Sequence, residues 1–219
     1  MTDSKTQKVA GIIEGIHQLK PKNLLAVGCG SGVEAAILAQ QLSVEVVGID
    51  IEDNFNEEAS KYANLQKGDA TSIQFRDESF DFVYSYHSLE HIKNPRKALR
   101  EMSRVLKKSG GYWIGTPNRS RIIGYIGSSD ATFAQKLRLN LTDWKARLTG
   151  EFRNELGANA GFTSRELRSL LSEFFSEVND VTKTYFLAMH ENHPLLLRLI
   201  GGSGLSEFIY PSVYFSGIK

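Results

Sequence analysis

The stretch LLAVGCGSG, residues Leu24–Gly32, decides the fold of this chain. Its first four residues are apolar, which is typical of a strand that is buried on both faces. Three glycines follow within five positions, and glycine allows the backbone to turn tightly and to approach a ligand closely. The residues that come next, Gly32–Gln41, predict a helix whose first N–H groups would face that ligand. We therefore expect a strand, a glycine turn and a helix at the edge of a parallel sheet.

The second predicted strand, Ser43–Asp50, ends in an acid. At the carboxyl edge of a parallel sheet, an acid in this position can accept hydrogen bonds from both hydroxyls of a ribose. The glycine spacing is G-x-G-x-G, whereas a dinucleotide site has G-x-G-x-x-G, and Val33 stands at its third glycine position. The P-loop pattern G-x-x-x-x-G-K-[ST] is also missing from the sequence. The pattern therefore favours a mononucleoside whose other end carries a small anion, such as an amino-acid carboxylate.

Strands and helices continue to alternate outward from this unit as far as residue 118. We predict further strands at Asn64–Lys67, Phe80–Ser85 and Tyr112–Thr116, and helices at Phe55–Tyr62 and Pro95–Lys108. Alternation of this kind is typical of an α/β fold in which helices cover both faces of a parallel sheet.

The pattern changes after residue 118. Residues 119–160 show no strand pattern and predict a basic helical insertion, which is either a solvated face or a lid over the site. A capping box at Thr163 or Ser164 begins a helix that is predicted to end near Phe174. Glu177–Leu187 and Tyr210–Ile218 are predicted to be the strands that close the sheet. We expect one domain over residues 1–219, with the insertion inside it.

Composition excludes several classes of protein. The chain has 219 residues, of which 41% are hydrophobic, and a formal net charge of +1. This is neither a disordered composition nor the basic excess of a protein held mainly by nucleic-acid phosphates. A single cysteine forms no internal disulfide, so we expect a reducing, cytoplasmic compartment. No stretch is long and apolar enough to predict a transmembrane helix.

Taken in order, these motifs resemble the class I S-adenosylmethionine-dependent methyltransferases, and most closely the small-molecule enzymes of the quinone-biosynthesis type. The similarity covers most of residues 24–118. The resembling segments are Gly28–Gly32, Val47–Ile51, Gly68–Ala70, Ser79–Val83, Leu89–His91, Arg104–Gly111 and Thr116–Asn118. The resemblance implies a Rossmann-like, doubly wound sheet of seven strands with an antiparallel last strand. It also implies S-adenosylmethionine as cofactor and a small molecule as methyl acceptor.

The resemblance assigns the residues of a cofactor site. Without the resemblance, the glycine turn, Asp50 and Asp69 could be interpreted as purely structural residues of turns and strand ends. The implied cofactor-binding residues are Gly28, Cys29 and Gly30 in the turn, Asp50 at the ribose, Ile51 at the adenine, Asp69 and Ala70 at the adenine amino group, and Tyr86. We expect Tyr84 and Tyr86 to alternate about the strand end, so that at most one lines the site. Cys29 is interpreted as a small filler and not as a nucleophile.

His87 is the candidate catalytic residue, because a hydroxyl or thiol acceptor must lose a proton and an imidazole can take it. The motif His87–His91 also matches the zinc-peptidase pattern H-x-x-E-H. That chemistry needs a sustained helix, whereas this motif follows a strand directly, so no metal site is predicted. We interpret Glu90 and His91 as structural residues that stabilise the turn after the fourth predicted strand.

Two other functions remain open at this point. The family usually has Asp or Glu at the position of Ala26, where the acid helps to hold the glycine loop and the ammonium end of the cofactor. Ala26 is therefore the reason to consider a catalytically degenerate partner subunit. A nicotinamide-dependent oxidoreductase is the third hypothesis, and Val33 argues against it. Enzymes of this fold that methylate amino groups of nucleic acids usually carry N/D-P-P-Y/F after the fourth strand, where this chain has Ser85–Ser88, so no nucleic-acid partner is predicted.

Overall fold

The structure, a computed structural model, describes residues 3–16, 21–122, 124, 132–150, 161–190 and 206–219. The strands are β1 Asn23–Val27, β2 Glu45–Asp50, β3 Asn64–Lys67, β4 Phe80–Tyr86, β5 Leu106–Pro117, β6 Asn179–Asp180 and β7 Ser212–Ile218. The helices are α1 Ser4–Ile16, α2 Val33–Leu42, α3 Pro95–Val105, α4 Phe133–Thr149, α5 Ser164–Leu171, α6 Thr182–Met189 and α7 Ser206–Ile209. Short 3₁₀ turns lie at Ala59–Lys61 and Leu89–His91.

The described strands form one seven-stranded sheet in the order β3-β2-β1-β4-β5-β7-β6. Strands β1 to β5 pair in parallel, whereas β7 is antiparallel to both of its neighbours. The expected Rossmann-like sheet with an antiparallel last strand is thus confirmed. The strand order reverses between β1 and β4, and in sheets of this type a crevice for ligands opens at that point.

Helices cover both faces of the sheet. On one face α1, α2 and α6 pack on β1, β4 and β7 through residues such as Val9, Ala36 and Phe186. On the other face α3 and α5 contribute Leu99, Met102 and Leu167 to a second apolar cluster. Because both faces are covered, most residues of the central strands are apolar and buried, as the run Leu24–Val27 indicated.

The helix predicted at Pro95–Lys108 ends three residues earlier than expected. Asn94 caps it by accepting from the backbone N–H of Lys97, and Leu106 already has an extended backbone. Strand β5 therefore begins at Leu106 and runs through Ser109–Gly111, the residues that follow the predicted helix. Phe80 of β4 pairs with Leu106, and Phe82 pairs with Gly111. The register between the two strands shifts between these pairs, so the beginning of β5 is irregular.

The prediction of a strand over Glu177–Leu187 is wrong for most of its length. Only Asn179–Asp180 is a strand, and α6 begins at Thr182, whose N–H donates to the Asp180 side chain at 3.0 Å. The segment is rich in β-branched and aromatic residues, which favours a strand by composition. The buried residues Thr182, Tyr185 and Phe186 are nevertheless spaced as on one face of a helix.

Two differences lie in the first third of the chain. The sequence contains a helix that we did not predict, α1, in which Val9, Ile12 and Ile13 are buried and Asp3 accepts the N–H groups of Lys5 and Thr6. The helix predicted at Phe55–Tyr62 is reduced to a single 3₁₀ turn.

Part of the predicted insertion falls on residues that the structure describes. Helix α4 occupies residues 133–149 and begins with a capping box between Thr132 and Gln135. The remainder of the predicted insertion, at residue 123 and residues 125–131 and 151–160, lies outside the described residues. None of the described helices is long and apolar enough to cross a membrane.

Candidate functional site

The carboxyl ends of β1, β2 and β4 surround a cavity of about 880 Å³. Most of its wall consists of residues that follow directly after a strand. The lining residues are Gly28, Gly30, Ile49, Asp50, Ile51, Glu52, Gly68, Asp69, Ala70, Thr71, His87, Ser88, His91, Ile92, Lys93, Asn94 and Lys97. The structure thus brings together seven of the nine residues that the sequence predicted, namely Gly28, Gly30, Asp50, Ile51, Asp69, Ala70 and His87.

The glycine turn lies directly against the neighbouring elements. The N–H groups of Gly28 and Cys29 both donate to the carbonyl oxygen of Ile49, at 2.8 and 3.1 Å. Gly28 has φ +69°, and a Cβ at this position would lie 2.2 Å from the Cβ of Ser88. At Gly30, with φ +53°, an added Cβ would meet no described atom within 4 Å. The turn is therefore packed tightly at Gly28 and open at Gly30, which leaves room for a ligand beside Gly30.

Asp50 connects the glycine turn to the second strand. One of its carboxylate oxygens accepts the N–H of Gly30 at 2.7 Å, and the other accepts the N–H of Glu52 at 3.1 Å. A carboxylate has about four acceptor positions, so both oxygens can accept further hydrogen bonds from a ligand. Ile51 beside it is 63% exposed, an unusual position for an isoleucine at the floor of a cavity. The pair offers a polar group and an apolar surface to the same ligand.

Asp69 and Ala70 form the adjacent wall through the loop after β3. The backbone is tied to β2, because the N–H of Gly68 donates to the carbonyl oxygen of Asp50 at 2.7 Å. The Asp69 carboxylate accepts the N–H and the hydroxyl of Thr71 at 2.7 and 3.0 Å. These contacts fix the direction of an exposed carboxylate at the rim of the cavity.

His87 lies just beyond β4 with φ +51°, a conformation in which a non-glycine residue is uncommon. Its Nε2 is 3.3 Å from the hydroxyl of Tyr214, and its Nδ1 is 3.7 Å from a carboxylate oxygen of Glu90. Burial, followed by the positive charge of Arg121, lowers the pKa of His87 to about 4. The imidazole is therefore neutral at pH 7 and able to accept a proton.

Glu90 lies beneath His87 with only 1% of its side chain exposed. Its Oε1 is also 3.8 Å from Nε2 of His91, and among the described residues its Oε2 has no hydrogen-bond partner. Burial raises the pKa of Glu90 to about 7. Within the described part of the chain, no three His, Cys, Asp or Glu side chains are arranged to hold a metal ion.

Two predicted residues lie apart from the cavity. The Cys29 side chain points toward Gly48, and burial, followed by the charge of Asp50, raises the pKa of its thiol to about 12. Tyr86 faces away from the cavity and bonds the hydroxyls of Tyr185 and Tyr214 at 2.9 and 3.3 Å. The expectation that Tyr84 and Tyr86 alternate is wrong, because residues two apart on a strand share a face, and their rings stack at 6.2 Å.

Comparison with known families agrees with this geometry. Residues 25–114, which contain most of β1, all of β2 to β4 and most of β5, match the model of a methyltransferase domain. The match covers less than half of the chain, and over these residues the chain is similar to methyltransferase domains. The glycine turn, Asp50, Asp69 and His87 all belong to the matched segment.

Curated relatives of this domain act on different kinds of acceptor. The ajmaline N-methyltransferase of Rauvolfia serpentina is 35% identical over 133 residues, which cover 50% of this chain and 46% of that enzyme. The ubiquinone biosynthesis O-methyltransferase of Cupriavidus pinatubonensis is 25% identical over 193 residues, 81% of this chain and 76% of that enzyme. The chain spans less than half the length of the first relative, and 32–40% of three others.

Solved structures share the whole fold. A SAM-dependent methyltransferase from Thermotoga maritima, described as a possible histamine N-methyltransferase, superposes with a TM-score of 0.59. The comparison covers 99% of this chain and 88% of that one, at 23% sequence identity. At this identity the similarity establishes the fold of the chain, including the elements outside the methyltransferase domain match.

Sequence reasoning missed two residues beside the glycine turn, Ser88 and Glu34. Ser88 donates to the carbonyl oxygen of Val27 at 3.1 Å and holds the turn against β4. Glu34, in the first turn of α2, accepts the hydroxyl of Tyr84 at 3.2 Å. Tyr84 was named only as an alternative to Tyr86. The sequence places Glu34 in the first turn of the predicted helix. Its position next to β4 depends on the order of the strands in the sheet, which the sequence pattern does not contain.

Proposed function

We propose that this protein transfers a methyl group from S-adenosylmethionine to a small-molecule acceptor. The observation that carries the proposal is that one cavity gathers the glycine turn, Asp50, Ile51 and Asp69. Those residues fit a nucleoside: an open position at Gly30, an acid with free acceptor positions, an exposed apolar side chain and a second acid at the rim. When bound, the cofactor supplies an activated methyl group on a sulfonium, so the protein mainly has to align donor and acceptor.

Each residue of the cavity has a role in this proposal. Asp50 accepts the ribose hydroxyls while its bond to Gly30 keeps the glycine turn closed around the ligand. Ile51 and Ala70 contact the adenine ring on its apolar faces. Asp69 accepts from the adenine amino group, in a direction set by Thr71. The open backbone at Gly30 allows close approach of the ligand.

His87 is proposed as the base that receives the acceptor's proton. The imidazole lines the cavity and is neutral at pH 7, since its pKa is lowered to about 4. Its contact with Tyr214 fixes the ring on one side, and Glu90 lies on the other.

The proposed acceptor is a small molecule, and the atom that receives the methyl group is either nitrogen or oxygen. Support comes from the two relatives described above, one an N-methyltransferase and the other an O-methyltransferase. The near-neutral net charge argues against a nucleic-acid acceptor. We propose that α4 and the adjoining residues 119–122 and 124 form part of a lid on the acceptor side, and that the protein acts in the cytoplasm.

Calorimetric titration with S-adenosylmethionine, S-adenosylhomocysteine and NADH tests the proposal. We expect micromolar binding of the first two and none of NADH. Asp50→Ala should weaken both by roughly tenfold or more, since it removes charge-assisted hydrogen bonds, whereas the exposed neighbour Asp53→Ala should bind as the wild type. Absence of binding at millimolar ligand would contradict the proposal and favour the catalytically degenerate subunit.

A further inference from the structure

A second cavity lies where β5 ends and β7 begins, between the beginnings of α5 and α6 and helix α7. Its volume is about 430 Å³, which lies in the range of pockets that bind small molecules. Among the residues that the structure describes, none lines both this cavity and the proposed cofactor cavity. A ligand bound here would therefore have a site of its own.

Three cationic side chains from two helices line this cavity, Arg165 and Arg168 of α5 and Lys183 of α6. The side chains of Arg165 and Lys183 have no hydrogen bond or ion pair with any described residue. Arg168 is held in place, because one guanidinium nitrogen donates to the carbonyl oxygen of Val178 at 2.8 Å and the group lies 5.1 Å from the ring centre of Phe215. A guanidinium has five N–H donors, so most of those of Arg168 can still donate to a ligand.

The two acids in the wall of the cavity do not neutralise these cations. Asp180 already accepts the Ser164 hydroxyl at 2.9 Å and the N–H of Thr182 at 3.0 Å. A carboxylate oxygen of Glu207 lies 3.5 Å from the Ser120 hydroxyl. In the described part of the chain, neither acid forms an ion pair with a cation of the cavity. The lining carries three positive and two negative charges, a net formal charge of +1.

The remaining wall of the cavity is apolar and firmly attached. Asn118, which is fully buried, donates to the carbonyl oxygens of Glu207 and Tyr210 at 2.6 and 2.8 Å and so ties α7 to the end of β5. Tyr210 and Val213, which line the cavity, are themselves only 5% and 3% exposed. The cavity thus combines exposed cations with an apolar wall, as binding sites for organic ions do.

We propose that this cavity binds a small organic dianion through Arg165, Arg168 and Lys183, with the apolar part of the ligand against Tyr210 and Val213. Guanidinium and ammonium groups form charge-assisted hydrogen bonds with phosphate and carboxylate oxygens. Two cations without a partner and a third with unused donors match two negative charges better than one. A phosphate monoester and a dicarboxylate share this chemistry, and the experiment distinguishes them. The site goes beyond the proposed function and does not depend on it.

Calorimetric titration of the full chain with phenyl phosphate and with phthalate, at low and constant ionic strength, tests the proposal. Benzamide, which has a similar ring and no charge, is the control ligand. We expect saturable binding of at least one dianion, with a Kd on the order of 1 mM or lower, and no binding of benzamide. Preference for phenyl phosphate would indicate a phosphate monoester as the ligand, and preference for phthalate a dicarboxylate. Added salt should weaken the binding, because the cations are exposed.

Substitutions in the wall of the cavity should change the affinity in both directions. Arg165→Gln and Lys183→Gln should each weaken dianion binding by roughly tenfold, since each removes a charge-assisted hydrogen bond. Arg100→Gln and Lys108→Gln, at exposed positions away from the cavity, are the matched controls and should bind as the wild type. Glu207→Gln removes a negative charge from the wall and should tighten binding by roughly threefold. The thermal midpoint of each variant checks that the fold persists.

Three results would overturn the proposal. They are the absence of saturable binding of either dianion at about 10 mM, equal binding of benzamide, and equal losses in the variants of the cavity and in their controls. Competitive displacement of the dianion by S-adenosylhomocysteine would also overturn it, because the dianion would then occupy the cofactor cavity. Titration with S-adenosylhomocysteine alone decides the proposed function separately, and Arg165→Gln and Lys183→Gln should bind that ligand as the wild type does.

Discussion

At the scale of single residues, the glycines of the turn have different tasks. Gly28 and Gly30 both have positive φ, but only Gly28 lies against a neighbouring side chain. The sequence could not separate them, because the pattern G-x-G-x-G weighs each glycine equally. The separation comes from Ser88, which the pairing of β1 with β4 brings against the turn.

Substitution by alanine should therefore separate the two glycines. Gly30→Ala is expected to cost about 1 kcal/mol of unfolding free energy, the strain of a left-handed backbone. Gly28→Ala should cost about 3 kcal/mol, since its Cβ would also overlap Ser88. Urea denaturation of both variants measures the difference, and equal losses would contradict the packing at Gly28.

Glu90 should make stability depend on pH. A carboxyl whose pKa is raised in the folded state binds a proton there at pH values where the unfolded chain has lost it, so its contribution to stability disappears as pH rises. The shift of Glu90 from 4.5 to about 7 corresponds to about 3 kcal/mol lost between those pH values. His87 acts oppositely, because its lowered pKa removes stability as pH falls from 6.5 toward 4.

Glu90→Gln isolates this contribution from the others. Its unfolding free energy, relative to the wild type, should increase by about 3 kcal/mol between pH 4.5 and 7, measured by urea denaturation at several pH values. Asp77→Asn, an exposed carboxylate near Arg104, serves as a comparison at a site without burial. A difference that does not change with pH would show that folding leaves the pKa of Glu90 unchanged.

At the scale of elements, helix α4 is attached through a buried ion pair. Arg121 and Asp143 lie 2.5 Å apart, and their side chains are 5% and 3% exposed. The Trp144 indole and the Asn140 side chain add bonds to the backbone at Ile122 and Gly124. The same Arg121 charge lowers the pKa of His87, so the attachment of α4 affects the proposed base.

Removal of one partner should loosen α4 without unfolding the sheet. Asp143→Ala leaves the Arg121 charge buried, which typically costs about 3–5 kcal/mol. Hydrogen exchange in Phe133–Thr149 should then accelerate, while exchange in β1 and β4 stays as in the wild type. The double variant Arg121→Met with Asp143→Leu should recover most of the protection, because both charges of the pair are removed together. Uniform acceleration across the sheet would contradict a local role.

Comparison of the predicted and observed elements shows where sequence patterns are sufficient to predict secondary structure. Strands β1, β2 and β4 and helix α3 were predicted because apolar, β-branched runs and a 3.6-residue period leave few alternatives. The strand at Glu177–Leu187 was wrong because Val181, Tyr185 and Phe186 suit either structure by composition. The position of Glu34 beside Tyr84 depends on the pairing of Ala26 with Tyr84, which no local pattern contains. Short-range order was therefore predictable, and contacts between elements were not.

At the scale of the whole molecule, a ligand in the large cavity would connect β1, β2 and β4. Binding to the folded state alone stabilises it by about 2.7 kcal/mol at a ligand concentration a hundredfold above Kd. For a chain of this size the thermal midpoint should rise by about 5–10 °C with S-adenosylhomocysteine. Differential scanning calorimetry measures the shift. Saturating ligand that leaves the midpoint unchanged would contradict a site built across these strands.

The two tryptophans of this chain stand in opposite surroundings. Trp113 is fully buried in β5 and lies against the rings of Tyr185 and Tyr214, whereas Trp144 on α4 is 40% exposed. A water-soluble quencher such as iodide reaches the second and not the first. Intrinsic fluorescence thus contains two separable signals, one from the centre of the sheet and one from α4. Movement of α4 can be followed optically in the natural protein, without an attached dye.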